Sequence, residues 1–301
     1  MPSAVYQCVP NFSEGRRREV IHAIADAIQC VSGVRLIDYS ADYDHNRCVM
    51  TFLGDAEGVR KAAVSAGQVA VSRIDMRQHS GVHPRVGAID VLPVIPLRHT
   101  SRAEAVALSY RIGEDLAKTC TLPIYFYEWS AKPGHIAALP TLRKGGFEAL
   151  QSAELIGDHA PDMGGSHAHP TGGITIVGAR SPLVAYNINL LTSDVRVAKV
   201  IAKRIREARG HSPLWEGVRA LGLLLESQKR AQVSMNLTEP EKTPLPSVFE
   251  AVREWAMEMG ASVYESEVIG AIPLDSLAGR PPETILWRAY RPTQILETWL
   301  G

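Results

Sequence analysis

Long apolar runs are missing from this 301-residue chain. No window approaches the roughly 18 uninterrupted apolar residues of a membrane-spanning helix. Charge of one sign is missing as well. Its 32 basic and 32 acidic residues give a formal net charge of +0, so no broad field draws nucleic acid or anionic lipid, and small-molecule partners are expected instead. Cysteine is scarce: Cys8, Cys30, Cys48 and Cys120 lie far apart with no C-x-x-C pair. That spacing argues against a disulfide framework and a thiolate zinc site, and reads the four as reduced core residues. The start, Met1 to Tyr6, lacks a basic stretch followed by an apolar core, so a cytoplasmic protein is expected. Neither a G-x-S-x-G elbow nor a cysteine set in a motif is present, which removes the usual covalent nucleophiles.

What is present is regular alternation of strand and helix patterns. The first half reads as strand 4–9, helix 16–29, strands 34–39 and 47–52, helix 56–74 and strand 88–95. A further helix opens at Ser101, with Glu104 three residues on as a capping box, and leads to strand 123–127. The second half repeats the order with strand 183–191, helix 193–209, strands 217–226 and 231–237, helix 245–259 and strand 261–268. Two βαββαβ runs imply an α+β protein of two ferredoxin-like subdomains, residues 1–179 and 180–301. Ala231, Val233, Met235 and Leu237 alternate with polar residues, leaving that strand one wet or ligand-facing side. Residues 281–300 carry Ile285, Leu286, Trp287, Tyr290, Ile295, Leu296 and Trp299, read as an amphipathic helical tail that packs on its own chain or on a second copy.

Chemistry-bearing residues cluster in the predicted loops. The run from Gln78 to Gly87 sets His79, His83 and Arg85 between a helix and a buried strand, with Pro84 stiffening the backbone at His83 and Arg85. Histidine titrates near neutrality and can both take and return a proton. Val9 to Gly15 joins the first strand to its helix, with Ser13 as the expected N-cap and Asn11 and Glu14 placed to orient a polar substrate. Asp38 to Arg47 joins two strands with more donors and acceptors than a turn needs. Residues 157–173 are rich in glycine and hold three histidines, which suits backbone approach to a ligand better than a plain connector. His79 with His83, His167 with His169, and Asp42, Asp44 and Asn46 also admit a metal-dependent hydrolase, although Gly81 and Pro84 break any helix that would align the first pair.

Taken together, Val9 to Gly15, Asp38 to Arg47, His83-Pro84-Arg85 with Gly87 to Asp90, Val177 to Arg180 and Tyr186 to Leu190 resemble the glutamate formimidoyltransferases, over about residues 4 to 270. The resemblance implies transfer of a formimino group from N-formimino-L-glutamate to N5 of tetrahydrofolate as cosubstrate in histidine breakdown. It also implies a homodimer, no metal, and two sheets facing across a groove with helices outside. It assigns proton transfer to His83 and the folate site to Gly164, Gly165, Ser166, His167, Ala168, His169, Pro170, Thr171, Gly172 and Gly173; His167 and His169 depart from the vertebrate pattern. Vertebrate members add a helical cyclodeaminase domain, so the ammonia-releasing step is expected on another protein. Amidine transfer needs a base for the N5 proton and an acid for the departing nitrogen, and one imidazole can serve both. Asp38 or Asp42 could orient that imidazole or face the amidinium charge; Arg85 or Arg47 could fork a substrate carboxylate, Arg85 ranking first beside Pro84. Asn11, Glu14, Asn46 and Asn187 complete the expected binding set. For a pterin floor, Phe12, Tyr39, Tyr43 and Tyr186 are available. A 5-formyltetrahydrofolate cyclo-ligase-like activity and a non-catalytic folate-binding module stand as alternatives.

Overall fold

A computed structural model describes residues 4–135 and 138–300. Met1 to Ser3 and Gly301, which bear on the reading of the chain's ends, lie outside the described residues. The chain divides into two compact units, Met1–Arg180 and Ser181–Gly301. The strands are β1 (Val5–Cys8), β2 (Asn11–Phe12), β3 (Arg35–Asp42), β4 (Arg47–Gly54), β5 (Ile89–Arg98), β6 (Ile124–Phe126), β7 (Thr175–Ala179), β8 (Val184–Leu190), β9 (Val218–Leu225), β10 (Arg230–Leu237) and β11 (Val263–Ile269). The helices are α1 (Arg18–Gln29), α2 (Ala56–Arg73), α3 (Arg102–Cys120), α4 (Leu139–Leu142), α5 (Gly146–Leu150), α6 (Val195–Ala208), α7 (Pro213–Glu216), α8 (Leu245–Glu258) and α9 (Glu297–Leu300). The protein is thus a mixed α+β molecule with two sheets.

In the first unit β3, β4, β1 and β5 pair antiparallel in that order, and β7 and β6 extend the sheet in parallel beyond β5. Helices α1, α2 and α3 cover one face because each presents an apolar stripe to it, such as Val20, Ile21, Ile24 and Ile28 of α1. Small residues of α2 permit close packing: a Cβ on Gly67 would stand 2.6 Å from Leu116 Cδ2. The ends are capped as local chemistry demands. Asp55 accepts from the Gly58 amide at 2.7 Å, and the capping box of Ser101 and Glu104 forms on α3. On the opposite face, Val91, Tyr125, Tyr127 and Ile176 make a smaller cluster with Leu142 of α4 and with Leu155.

In the second unit the order is β11-β8-β10-β9, all antiparallel, with α6 and α8 over one face. Alternation in β10 is as expected, with Ala231, Val233, Met235 and Leu237 in the core. The tail departs from expectation. Instead of a helix, residues 282–294 form two single 3₁₀ turns that buried Ile285, Trp287 and Ile295 pin to the second core. Parallel bridges Ser266 to Trp287 and Ile272 to Ile295 run the tail along β11. Pro282 and Pro292 lack the amides that a continuous helix would need. Cys30 also departs, being exposed at the end of α1, whereas Cys8, Cys48 and Cys120 are buried free thiols. Burial pushes the Cys48 thiol up to about 12.

Candidate active site

Three turns converge at one end of the first sheet: 13–17 before α1, 43–46 between β3 and β4, and the loop 79–87 before β5. Asn46, at φ +49°, is the tie between them. Its Oδ1 accepts from the Gly15 amide at 2.9 Å, its Nδ2 donates to the Ser80 carbonyl at 3.0 Å, and its own carbonyl accepts from His79 Nε2 at 2.7 Å. The Val82 amide adds a 3.1 Å bond to the Asp44 carbonyl. Glycine makes the crossing possible, since a Cβ on Gly15 would lie 2.0 Å from the Asp42 oxygen and one on Gly81 2.3 Å from the His45 oxygen.

His83 sits in this knot, half-buried. Its Nδ1 lies 2.8 Å from the Pro84 carbonyl oxygen and its Nε2 lies 2.9 Å from Arg47 Nη1. A carbonyl can only accept and a guanidinium can only donate. Hence Nδ1 carries the proton and the ring is neutral, while Arg47 Nη1, which is also 3.5 Å from Nδ1, lies over the ring face and leaves the Nε2 lone pair open. Burial, then Arg47, Arg143 and the His45 ring at 5.8 Å, hold His83 well below its ordinary range. His79 is neutral in the other tautomer, donating from Nε2 to Asn46 and accepting at Nδ1 from Arg85 Nε at 3.1 Å. Burial and Arg85 lower it too.

The two arginines differ in what they touch. Arg85 turns away from the imidazole of His83: its Nη1 and Nη2 fork the Glu148 carboxylate of α5 at 2.8 and 2.5 Å, and Nη2 also donates to the His79 carbonyl. Glu148 is drawn down to about 2 by that pairing. Arg47, opposite Asp42 in the hairpin register, is the one on His83. Burial and the neighbouring Arg143 pull it down to about 10.

Sequence reading passed over Asp90, Arg143 and Glu148 as site residues. Asp90, 1% exposed, accepts from the Val86 amide at 2.9 Å and pairs with Arg143 Nη2. An aspartate flanked by Ile89 and Val91 was the available signal, because a buried charge demands a partner. Nothing in the sequence marks that partner as Arg143.

The other expected residues make the following contacts. Ser13 does not cap α1; its hydroxyl donates to the Gly87 carbonyl at 2.7 Å, and Glu14 instead accepts from the amides of Arg16 and Arg17, both at 2.9 Å. Asn11 donates to the Val9 carbonyl. Asp38 is buried on β3 opposite Thr51, and Asp42 accepts from the His45 amide. Phe12 and Tyr186 are core residues of the two units and offer no ring face to a ligand, whereas Tyr39 and Tyr43 are exposed. Arg16 covers the Tyr43 ring at 4.8 Å.

The glycine-rich segment belongs to the first unit and abuts the His83 loop. His169 and Gly173 exchange backbone bonds of 2.9 Å, the Gly172 carbonyl accepts from Ala88, and the Ile174 amide donates to Val86. A Cβ on Gly173, at φ +71°, would lie 2.1 Å from the Val86 oxygen, and one on Gly164 2.7 Å from the Leu122 oxygen. His169 Nδ1 accepts from the Gly172 amide at 2.8 Å. His167, Ser166 and Gly165 are exposed; Ala168 packs on the smaller cluster. Pro170 and Thr171 form the turn, where the Thr171 carbonyl accepts from the Met76 amide. Asn187 stands on β8 of the second unit, donating to Glu267 at 3.0 Å in a polar set with Asn189 and Gln232. Among the described residues, no group of three or more His, Cys, Asp or Glu side chains is arranged to hold a metal ion.

A neutral imidazole can exchange a proton and a guanidinium can pair with an anion, and three turns brace the two side by side. Comparison with known proteins gives the chain its family. Residues 5–180 match the formiminotransferase domain, N-terminal subdomain, and residues 185–280 match the formiminotransferase domain. The chain is 41% identical over 273 residues to the glutamate formimidoyltransferase of Streptococcus pyogenes serotype M1, covering 91% of this chain and 90% of that one. It is 37% identical to the glutamate formimidoyltransferase of Thermoplasma acidophilum, with the same two coverages. Against the formimidoyltransferase-cyclodeaminase of Rattus norvegicus it is 39% identical over 91% of this chain, spanning 51% of the relative. The chain belongs to the glutamate formimidoyltransferase family and is a transferase enzyme.

Proposed function

We propose that the protein moves the formimino group from N-formimino-L-glutamate to N5 of tetrahydrofolate, with His83 as proton carrier. The observation that carries this reading is the neutral His83 ring with its Nε2 lone pair, held by Pro84 and Arg47 in a loop that three turns brace. N5 attacks the amidine carbon, Nε2 takes the N5 proton, the bond from that carbon to the glutamate nitrogen breaks, and Nε2 returns the proton to that nitrogen. Arg47 pairs with the donor's carboxylate, Asp38 faces the amidinium charge, and Arg85 positions the loop through Glu148 and His79. Residues 164–173 border the folate. Tetrahydrofolate is the cosubstrate and the scheme uses no metal. In this reading the enzyme works in histidine degradation as a cytoplasmic homodimer. The strand order in each unit supports reading both as ferredoxin-like variants.

The test is a side-by-side assay of the purified protein. Formation of 5-formiminotetrahydrofolate from N-formimino-L-glutamate supports the proposal. Conversion of 5-formyltetrahydrofolate without that transfer would replace it with a cyclo-ligase.

A further inference from the structure

The solvent edge of the knot around His83 carries groups that the transfer scheme leaves unused. Tyr43 is 61% exposed and Val82 41% exposed. Both adjoin the site: Val82 immediately precedes His83, and its amide donates to the carbonyl of Asp44, the residue after Tyr43. Arg16 stands over this edge. Its Nε donates to the Tyr43 carbonyl at 3.0 Å, its Nη1 to the Ser80 hydroxyl at 3.4 Å, and its guanidinium carbon lies 4.8 Å from the centre of the Tyr43 ring. Arg16 is nonetheless exposed, and among the described residues no carboxylate pairs with its guanidinium, whereas Arg17 holds Glu14 and Arg85 holds Glu148. A tethered cation without a counter-charge, beside an exposed ring, complements an aromatic group that bears a carboxylate. We infer that the aminobenzoyl-L-glutamate arm of tetrahydrofolate lies along this edge, its benzene ring against Tyr43 and Val82 and a glutamate carboxylate on Arg16, so that these residues choose among folates without touching the reacting atoms. This rests on the formimino-transfer reading.

The covalent structures of the two substrates decide which one the edge fits. In tetrahydrofolate the benzene ring is joined to the carbon beside N5 through one methylene and one nitrogen. With N5 at His83, that ring falls one or two backbone steps of about 3.8 Å away, the spacing at which Val82 and its bonded neighbour stand. The glutamate follows through an amide, and Arg16 is the cation at the Tyr43 ring. N-formimino-L-glutamate has no aromatic group for Tyr43 to receive. Its α-carboxylate, one carbon from the reacting nitrogen, belongs beside the imidazole itself, where Arg47 lies. The two arginines therefore divide the two acidic substrates between them.

Steady-state transfer by the full chain to a graded set of acceptors tests this. The set is tetrahydrofolate, its dimethyl ester, which keeps the shape and loses the charge, and 6-methyltetrahydropterin, which lacks the benzene ring. Wild type is expected to favour tetrahydrofolate over the ester by at least about tenfold in kcat/KM, and that preference is expected to shrink as salt is raised to about 0.5 M. It should fall towards one in Arg16→Met and survive in part in Arg16→Lys. Tyr43→Ser should lower kcat/KM by about fivefold for both ring-bearing acceptors relative to 6-methyltetrahydropterin. A wild type that takes acid and ester equally, a preference indifferent to salt, a preference that survives Arg16→Met, or a Tyr43→Ser variant that loses as much with 6-methyltetrahydropterin as with tetrahydrofolate would each overturn the inference; the last result would make the edge a brace for the turns. An enzyme that transfers the formimino group to tetrahydrofolate while showing any of these keeps its function and loses the subsite; one that transfers it to none of the three loses the function itself.

Discussion

At the scale of single residues, the account turns on which partner each charged group holds. His83→Gln removes the proton carrier but leaves a polar side chain of similar reach, so kcat should fall by about 10²-fold or more with an unchanged melting curve. Asp90 is a different kind of residue. Its carboxylate compensates Arg143 in a nearly dry place, and Asp90→Asn keeps the acceptor for the Val86 amide while stranding the guanidinium. That should cost about 3 kcal/mol in denaturant unfolding. The stranded charge also makes His83 harder to protonate, so the acid limb of the pH profile should move to lower pH in the same variant. Pairings of this kind were hidden in the sequence. Asp90 and Arg143 are 53 positions apart, and Arg85 and Glu148 are 63 apart, so no local pattern links them. Proximity in the chain was misleading as well: Arg85 neighbours His83 in sequence but points to Glu148, while Arg47 reaches it from another strand.

At the scale of elements, periodicity carried most of the reading. Nearly every strand and helix of the two βαββαβ runs lies within a few residues of its expected place, because strong apolar stripes and alternations decide burial. The misses have physical causes. The two residues of β2 are too few to alternate, and β7 is a fully buried run with a glycine inside, which periodicity cannot tell from a loop's end. Of the two placements open to the tail's apolar residues, Ile285, Trp287 and Ile295 take the one on their own chain, and the prolines rule out a continuous helix. In the proposed scheme the braced loop is the element that positions His83. Gly81→Ala puts a methyl 2.3 Å from the His45 carbonyl, so the loop must lift off the hairpin. Transfer should drop at least about tenfold while stability changes by about 1–3 kcal/mol. Ser101→Ala on α3, outside this knot, should cost about 1 kcal/mol and leave turnover alone.

At the scale of the whole molecule, the half-buried neutral histidines couple stability to pH. His79 and His83 are both held below the ordinary 6.5, so between that value and their lower folded values the unfolded chain binds protons that the folded chain refuses. Their stabilisation is fully present above the window and is lost as pH falls through it, by up to about 1.4 kcal/mol per pH unit for each ring. Urea midpoints should therefore drop as pH falls below about 6.5, and less steeply in His79→Gln. The central claim is that one neutral imidazole ferries the proton of the transfer, and single-turnover measurement of formimino transfer to tetrahydrofolate by wild type and His83→Gln, at equal saturation with both substrates, tests it most directly. The expected result is a chemical step slowed by about 10²-fold or more in the variant; a step of unchanged rate would contradict the account.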